Sequence, residues 1–549
     1  MRRLSGLDAA FLALETPSST GHVGGLSLLD PSSARERLDL ASLTRLIEGR
    51  LGQVPVMRQR LMGVPLGLDQ PVWVDDEHFD IGYHVREIGL PTPGTMGQLA
   101  EQVARIHGRP LDRSRPLWEL YFVTGLEGGR AAVYTKIHHA AVDGVSGAEL
   151  LTILFDLDRD GRPADAGNAP EPFLPRSAPS QLGLVAMTAS RLAMRPYELS
   201  RVLAHAATTL PSALPVLGPA VAATFARSPD GAALTAAGPA PRTPLNVSIS
   251  PHRRFAPVTL SLTDVKRVKN AFGVSVNDVV MAIAAGALRR WLLARDALPE
   301  TPLVAMVPIS IRQTSSDFKG NKVSAMLATL PTHVADPVER LGVAHRATVV
   351  AKAQQAAVPQ GLVDHVTDFS PPALTGRVAR MIFGSRVLNR LPAFNVVVSN
   401  VPGPNVPVYL AGAELLAHYP LSAVTDGMAL NLTLIGYRDG LDVGLVAARE
   451  VVPDLDLLAE HLGQELALLV AATQERERRA SRAAGLKASG AGTASGAGKA
   501  GGAGTASGAG KASGVSARRE GGTARTSSGP RASRSSGRRG PRSAGTTPP

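Results

Sequence analysis

The 549-residue sequence contains no cysteine, which excludes disulfides, thiolate metal ligands and a cysteine nucleophile and fits a reducing compartment. Aromatic residues amount to only 4%, too few for the stacking platforms of a single-stranded nucleic-acid binder. Acidic residues nearly vanish from one region: Lys487 to Pro549 holds three lysines, eight arginines and a single acid, Glu520. That segment carries +10 of the net +12 and leaves residues 1–486 with +2. A globally basic nucleic-acid surface is therefore not indicated. The N-terminus, Met1-Arg2-Arg3-Leu4, lacks the apolar run and cleavage site of a signal peptide. The stretch from Val202 to Ala226 is free of charge, but Pro211, Pro215 and Pro219 interrupt it, and it reads as soluble or interfacial.

What is present reads as an α/β (α+β) protein. Leu7, Ala10, Phe11 and Leu14 recur at helical spacing, and helices are expected over Leu40–Leu51 and Met96–His107. Trp118–Val123 and Ala131–His138 read as antiparallel strands joined by a turn over Gly125–Gly129, with a helix from Gly144 to Phe155. Residues 158–180, rich in Asp, Gly, Pro and Ala, mark a boundary, and 181–226 reads as a helical connector. Further on, Val258–Leu262 suggests a strand and Thr263-Asp264 the start of a helix. Val276–Leu293 reads as a longer amphipathic helix. Val304–Ile311 and Ala393–Asn400 read as buried strands, Leu430–Ile435 and Asp442–Ala447 as a hairpin, and Leu455–Arg479 as a terminal helix. The divisions are 1–160, 161–244, 245–480 and a tail over 487–549 whose Gly/Ala/Ser/Arg/Lys composition predicts disorder. Its formal GxGxxG, starting at Gly496, follows no strand and arises from repetition.

The chemically informative segment is Ile137-His138-His139-Ala140-Ala141-Val142-Asp143-Gly144. A strand ends there in two histidines whose side chains, being adjacent, point to opposite faces. A metal site would need further ligands, and no other histidine pair stands at ligand spacing, so none is expected. A general base is the sharper reading, because a neutral imidazole near pH 7 accepts a proton from a hydroxyl. Lys136, beside the pair, reads as a strand-surface residue and Trp118 as core. No GxSxG elbow occurs, so a lipase-type serine is absent.

HHxxxDG resembles the signature of the bacterial wax ester synthase/diacylglycerol acyltransferase family. Its HxxxDG core is shared with chloramphenicol acetyltransferase, plant BAHD acyltransferases and peptide-synthetase condensation domains. Other blocks are similar in family order: Leu4–Phe11 with His22-Val23-Gly24-Gly25, Arg115–Glu119, Thr243–Asn246, His252-Arg253-Arg254, Val276–Val280 and Ser399–Pro404. Gly21 departs from the larger apolar residue usual there, and the tail has no counterpart.

The resemblance implies two chloramphenicol-acetyltransferase-like lobes around a central tunnel. It also implies O-acyl transfer from acyl-CoA to diacylglycerol, a long-chain alcohol, or both. His139 maps onto the base, His138 onto a neighbour that shapes the site, and Asp143-Gly144 onto a structural turn. Asn277 is either an oxyanion donor or a plain helix cap. Arg253 and Arg254 either meet CoA phosphates or form a solvated pair. No permanently bound cofactor is expected, acyl-CoA being a substrate. Rival readings are a carrier-protein-dependent condensation-type acyltransferase and a non-catalytic lipid-binding protein of the same fold. The expected location is cytoplasmic, with an anionic inner-membrane face or lipid droplets as candidate surfaces for the basic tail.

Overall fold

The computed structural model describes residues 2–142, 154–161, 173–191, 193, 240–310, 323–357 and 392–494. By its contacts the chain divides into two units, 1–484 and 485–549. In the first unit, helix α1 (Gly6–Leu14) is capped by Ser5, whose hydroxyl accepts from the Asp8 amide. Strand β2 (His22–Asp30) follows, then α2 (Leu40–Arg50), capped by Asp39. A small sheet joins β1 (Arg2–Arg3), β3 (Gln59–Met62) and β4 (Val72–Asp75) in the order β1-β4-β3. After the short helix α3 (Ile81–His84) and β5 (Val85–Gly89), α4 spans Met96–His107, as the sequence predicts, closed by a Thr95–Gln98 capping box.

Strands β6 (Trp118–Thr124) and β7 (Ala131–His138) form the expected antiparallel pair, and α5 (His139–Val142) starts where β7 stops. The expected helix over Gly144–Phe155 lies largely outside the described residues, as do most of 161–244 and of the tail. Residues 181–191 are helical, in keeping with a helical connector.

The second half begins with β8 (Arg253–Ser261), longer than the expected strand. Ser261 caps α6 (Leu262–Phe272), two residues earlier than Thr263-Asp264 suggests. Helix α7 (Val276–Leu293) has its predicted bounds. It is buried around most of its circumference, the pattern of a core helix rather than a surface one. No single helix among the described residues is long and apolar enough to cross a membrane. Then come β9 (Leu303–Ser310), β10 (Val323–Leu330), α8 (Pro337–Ala357), β11 (Val396–Val401), β12 (Tyr409–Leu410), β13 (Ala413–Leu421) and the hairpin β14 (Leu430–Tyr437) and β15 (Gly440–Ala448). The last helix, α9, runs from Leu455 to Ala494, past the expected end at Arg479 and into the segment expected to be disordered. Its alanine-rich sequence carries no Pro to stop it.

Two six-stranded mixed sheets result, ordered β12-β13-β2-β7-β6-β5 and β10-β9-β11-β14-β15-β8. The division at 245 does not follow this topology, because β12 and β13 belong to the first sheet, where β13 pairs antiparallel with β2. Without β13, β2 would present an unpaired edge. The sheets touch where β13 meets β15, so closely that a Cβ on Gly444 would fall 1.7 Å from the Pro420 carbonyl oxygen. Asp442 fastens this junction. Its two oxygens accept from the His418 amide (2.8 Å) and the Thr259 hydroxyl (2.6 Å). Leu99 and Val103 of α4 join Leu26 and Tyr134 of the first sheet and Phe255 and Val446 of the second in one apolar cluster. Full burial of such a side chain contributes about 1.5–3 kcal/mol, so the lobes share a core rather than merely abut.

Candidate active site

The central strand β7 delivers the two histidines. The His138 amide donates to the Leu117 carbonyl (2.9 Å), and the His139 amide donates to the Gly21 carbonyl (2.9 Å). From that point the backbone turns into α5, and the rings take different environments. His138 is 1% exposed. Its Nδ1 accepts from the Ala140 amide (3.0 Å), so Nε2 carries the proton. That Nε2 lies 3.1 Å from Glu15 Oε1. His139 is half-buried, and its ring lies 4.5 Å from the Phe11 ring at 32°. It is thus neither sealed in aliphatic core nor a surface residue.

Glu15, which the sequence reading did not single out, gathers this corner. Its Oε1 accepts from the Gly21 amide (2.6 Å), and its Oε2 accepts from Arg113 Nη2 (2.6 Å) and Nε (3.2 Å). Burial opposes its ionisation, but His138, the Gly21 amide and Arg113 outweigh burial and bring its pKa down to about 2. No spacing rule links positions 15, 113 and 138; only the packed fold brings them together.

The surroundings of β7 are polar and buried. Lys136, expected on the surface, is 1% exposed. Its Nζ donates to the carbonyls of Ile106 (3.1 Å) and Arg109 (2.5 Å) and lies 3.7 Å from Glu119. The sheet's middle strand is covered on this side by α4, and the Lys136 ammonium meets carbonyls at and just past the end of that helix. Burial, partly offset by Glu119, lowers the Lys136 pKa to about 8. His22, opposite His138 on β2, places Nε2 2.6 Å from the His107 carbonyl. His107 Nδ1 meets the Tyr134 hydroxyl at 2.8 Å. Burial, with the nearby Lys136 charge, brings His107 to about 3, and His22 is also held well below its ordinary range by burial.

The remaining sequence candidates lie elsewhere. Asp143 and Gly144 fall outside the described residues. Asn277 sits in the first turn of α7, half-buried, on the second sheet's side. It is not the helix cap. Ser275 and Asp278 form a capping box, and Asp278 also holds His345 Nδ1 at 2.8 Å. No hydrogen bond engages the Asn277 amide among the described residues. Arg253 is buried, and its guanidinium donates to the carbonyls of Ser250 (2.5 Å), His252 (3.3 Å) and Ser18. Its geometry is that of a tie between β8 and the loop before β2. Burial, eased by Glu450 and Asp426, lowers its pKa to about 10. Arg254 is partly exposed and paired with Asp456. Trp118 is core, as expected, its Nε1 donating to the Met57 carbonyl (2.8 Å). No three His, Asp or Glu side chains converge as metal ligands among the described residues.

Residues 4–280 match the wax ester synthase/diacylglycerol acyltransferase catalytic domain, and residues 319–470 match the WS/DGAT C-terminal domain. A putative diacylglycerol O-acyltransferase of Mycobacterium tuberculosis is 36% identical over 87% of this chain and 91% of its own. The O-acyltransferase WSD of Acinetobacter baylyi is 34% identical over 87% of this chain and 99% of its own. The solved wax ester synthase/diacylglycerol acyltransferase from Marinobacter aquaeolei is 32% identical, with a TM-score of 0.61, over 86% of this chain and all of that one. The two-lobed α/β acyltransferase fold is thereby borne out. Taken with the histidine pair at the end of β7, these likenesses assign the chain: it belongs to the wax ester synthase/diacylglycerol acyltransferase family.

Proposed function

We propose that the protein transfers a long-chain acyl group from acyl-CoA to the hydroxyl of diacylglycerol, of a long-chain alcohol, or of both, with His139 as general base. The observation that carries the reading is the division of labour in the histidine pair: His138 is buried against Glu15, while the half-buried His139 lies over Phe11. The imidazole of His139 takes the acceptor's proton as the hydroxyl oxygen bonds to the thioester carbonyl carbon. The tetrahedral intermediate then collapses, the carbon–sulfur bond breaks, and the proton passes from His139 to the departing CoA sulfur. A thioester is already activated, so no covalent enzyme intermediate is needed. A positioned base contributes about 10²–10⁴-fold, and holding both substrates together supplies much of the rest. The Asn277 amide is the candidate donor to the developing oxyanion, a contribution of about 2.7–4 kcal/mol in comparable sites. The acyl-CoA is consumed as substrate, and no resident cofactor enters the scheme.

The test supplies labelled acyl-CoA with diacylglycerol or hexadecanol and separates the lipid products. Ester from either acceptor is expected, and the ratio defines the preference. Absence of both esters contradicts the reading. On the same reading the protein is cytoplasmic, and its +10 tail holds it to anionic membrane or lipid-droplet surfaces, at about 1 kcal/mol per cation near the surface. Deleting residues 495–549 should then reduce flotation with anionic liposomes; unchanged flotation removes the tail from the account.

A further inference from the structure

We infer that Glu15 is a positioning residue for acyl transfer: its carboxylate fixes His138 and Gly21, and through them the backbone that delivers His139. The inference rests on the reading of His139 as base. Glu15 follows the last residue of α1, and its extended backbone turns the chain toward β2. One oxygen accepts from the Gly21 amide at 2.6 Å and lies 3.1 Å from His138 Nε2, a contact of charge rather than of hydrogen-bond geometry. Gly21 is held from both ends, because its carbonyl accepts from the His139 amide (2.9 Å). A single carboxylate thus reaches the site by two routes, through the Gly21 backbone and through the His138 ring.

The ring route has a defined chemistry. His138 Nδ1 accepts from Ala140, so only the tautomer protonated on Nε2 fits, and the Glu15 carboxylate stands 3.1 Å from that nitrogen. Arg113 keeps the carboxylate charged and in place, and it also donates from Nη2 to the Leu12 carbonyl at the end of α1 (2.7 Å). Phe11, which lies against the His139 ring, is on the same helix one turn earlier. Anchoring α1 through Glu15 therefore sets the Phe11 face as well. The packing leaves no slack. A Cβ at Gly21 would lie 3.0 Å from His138 Nε2 and 3.4 Å from Glu15 Oε1, so glycine is what lets the two approach. A nearly buried, ionised carboxylate is costly unless its partners are all in place. The titratable or charged groups around this pair are His138, Arg113, Lys136 and, across the strand, His22.

The test uses the full-length protein with labelled acyl-CoA and diacylglycerol. Glu15→Ala should lower kcat about a hundredfold, the cost of a misplacement of about 1 Å, with KM for acyl-CoA changed by less than about twofold. Glu15→Gln, which keeps an acceptor for Gly21 and His138, should recover at least about a tenth of the wild-type kcat. Nitrogen NMR of histidine-labelled protein, assigned with His138→Gln, should find His138 protonated on Nε2 in wild type and both variants, with the Nε2 resonance displaced further in Glu15→Ala than in Glu15→Gln. If Glu15→Ala does not fold, Gly21→Ala is expected to lower kcat in the same way without changing circular dichroism. Undiminished turnover in Glu15→Ala or, if that variant does not fold, in Gly21→Ala, overturns the inference. So does equal loss in the Ala and Gln variants with the His138 Nε2 resonance unmoved from wild type. His139→Ala separates the two layers. Full activity there removes the base itself, whereas an inactive His139→Ala beside a fully active Glu15→Ala removes only the positioning role.

Discussion

The first sheet threads imidazoles and charges through its middle, with His22, Glu119, Lys136 and His138 all buried on β2, β6 and β7. The second sheet packs instead on α7 and α9 through Val279, Ile283, Leu288, Trp291, Leu458 and Leu462, an almost wholly apolar interior. Its buried ion pair, Arg340–Glu465, together with the exposed Arg290 on the other Glu465 oxygen, ties α8, α9 and α7 together. An apolar core tolerates small changes and yields stability by area alone. A buried polar network must be fully satisfied, and where it is, it fixes one geometry at a cost in stability. The contrast teaches where this chain invests in geometry: in the sheet whose middle strand ends at His139.

The largest expected difference between the two interiors is in acid. The ordinary histidine pKa of 6.5 applies once the chain unfolds, whereas in the folded protein burial holds His107 at about 3, His418 at about 4 and His22 well below 6.5. Between those values the unfolded chain binds more protons, so stability is complete above pH 6.5 and falls as pH drops toward 4. The slope is about 1.4 kcal/mol per pH unit for each histidine. Glu15, held at about 2 against an ordinary 4.5, adds loss of the same sign below 4.5. Urea unfolding at pH 7.5, 6.5 and 5.5 measures this, and a flat profile would erase the contrast. Next in size is Lys136→Met. It takes the lysine donor from the Ile106 and Arg109 carbonyls, the former keeping the Arg109 amide, and leaves Glu119 without its lysine, so a loss of about 3–5 kcal/mol in urea unfolding is expected. A loss under about 0.5 kcal/mol would mean that the buried lysine is dispensable. Smallest is Ile283→Val on α7, at about 0.5–1.5 kcal/mol with kcat unchanged. A fall in kcat there would blur the separation between the two lobes.

The same contrast explains what the sequence made legible. Helices α4 and α7 and the β14–β15 hairpin follow from local pattern, because capping residues and apolar spacing act within one element. The histidine pair is a local motif and was equally visible. Lys136 was not, since an alternating strand with a lysine reads as half-exposed until α4 is known to cover it. The pairing of β13 with β2 joins positions some 390 residues apart, and no local signal announces it. Arg253, open in sequence between a phosphate fork and a solvated pair, is buried; besides the local carbonyls of Ser250 and His252 its guanidinium meets that of Ser18, more than 230 residues earlier. Glu15 was missed for the same reason, its partners being contributed by three separate segments.

The most direct measurement is the rate of acyl transfer from labelled acyl-CoA by His139→Ala beside wild type, with circular dichroism confirming that both are folded. The account predicts a fall of about 10²–10⁴-fold, the contribution of a positioned base. A folded variant that turns over at the wild-type rate would contradict it.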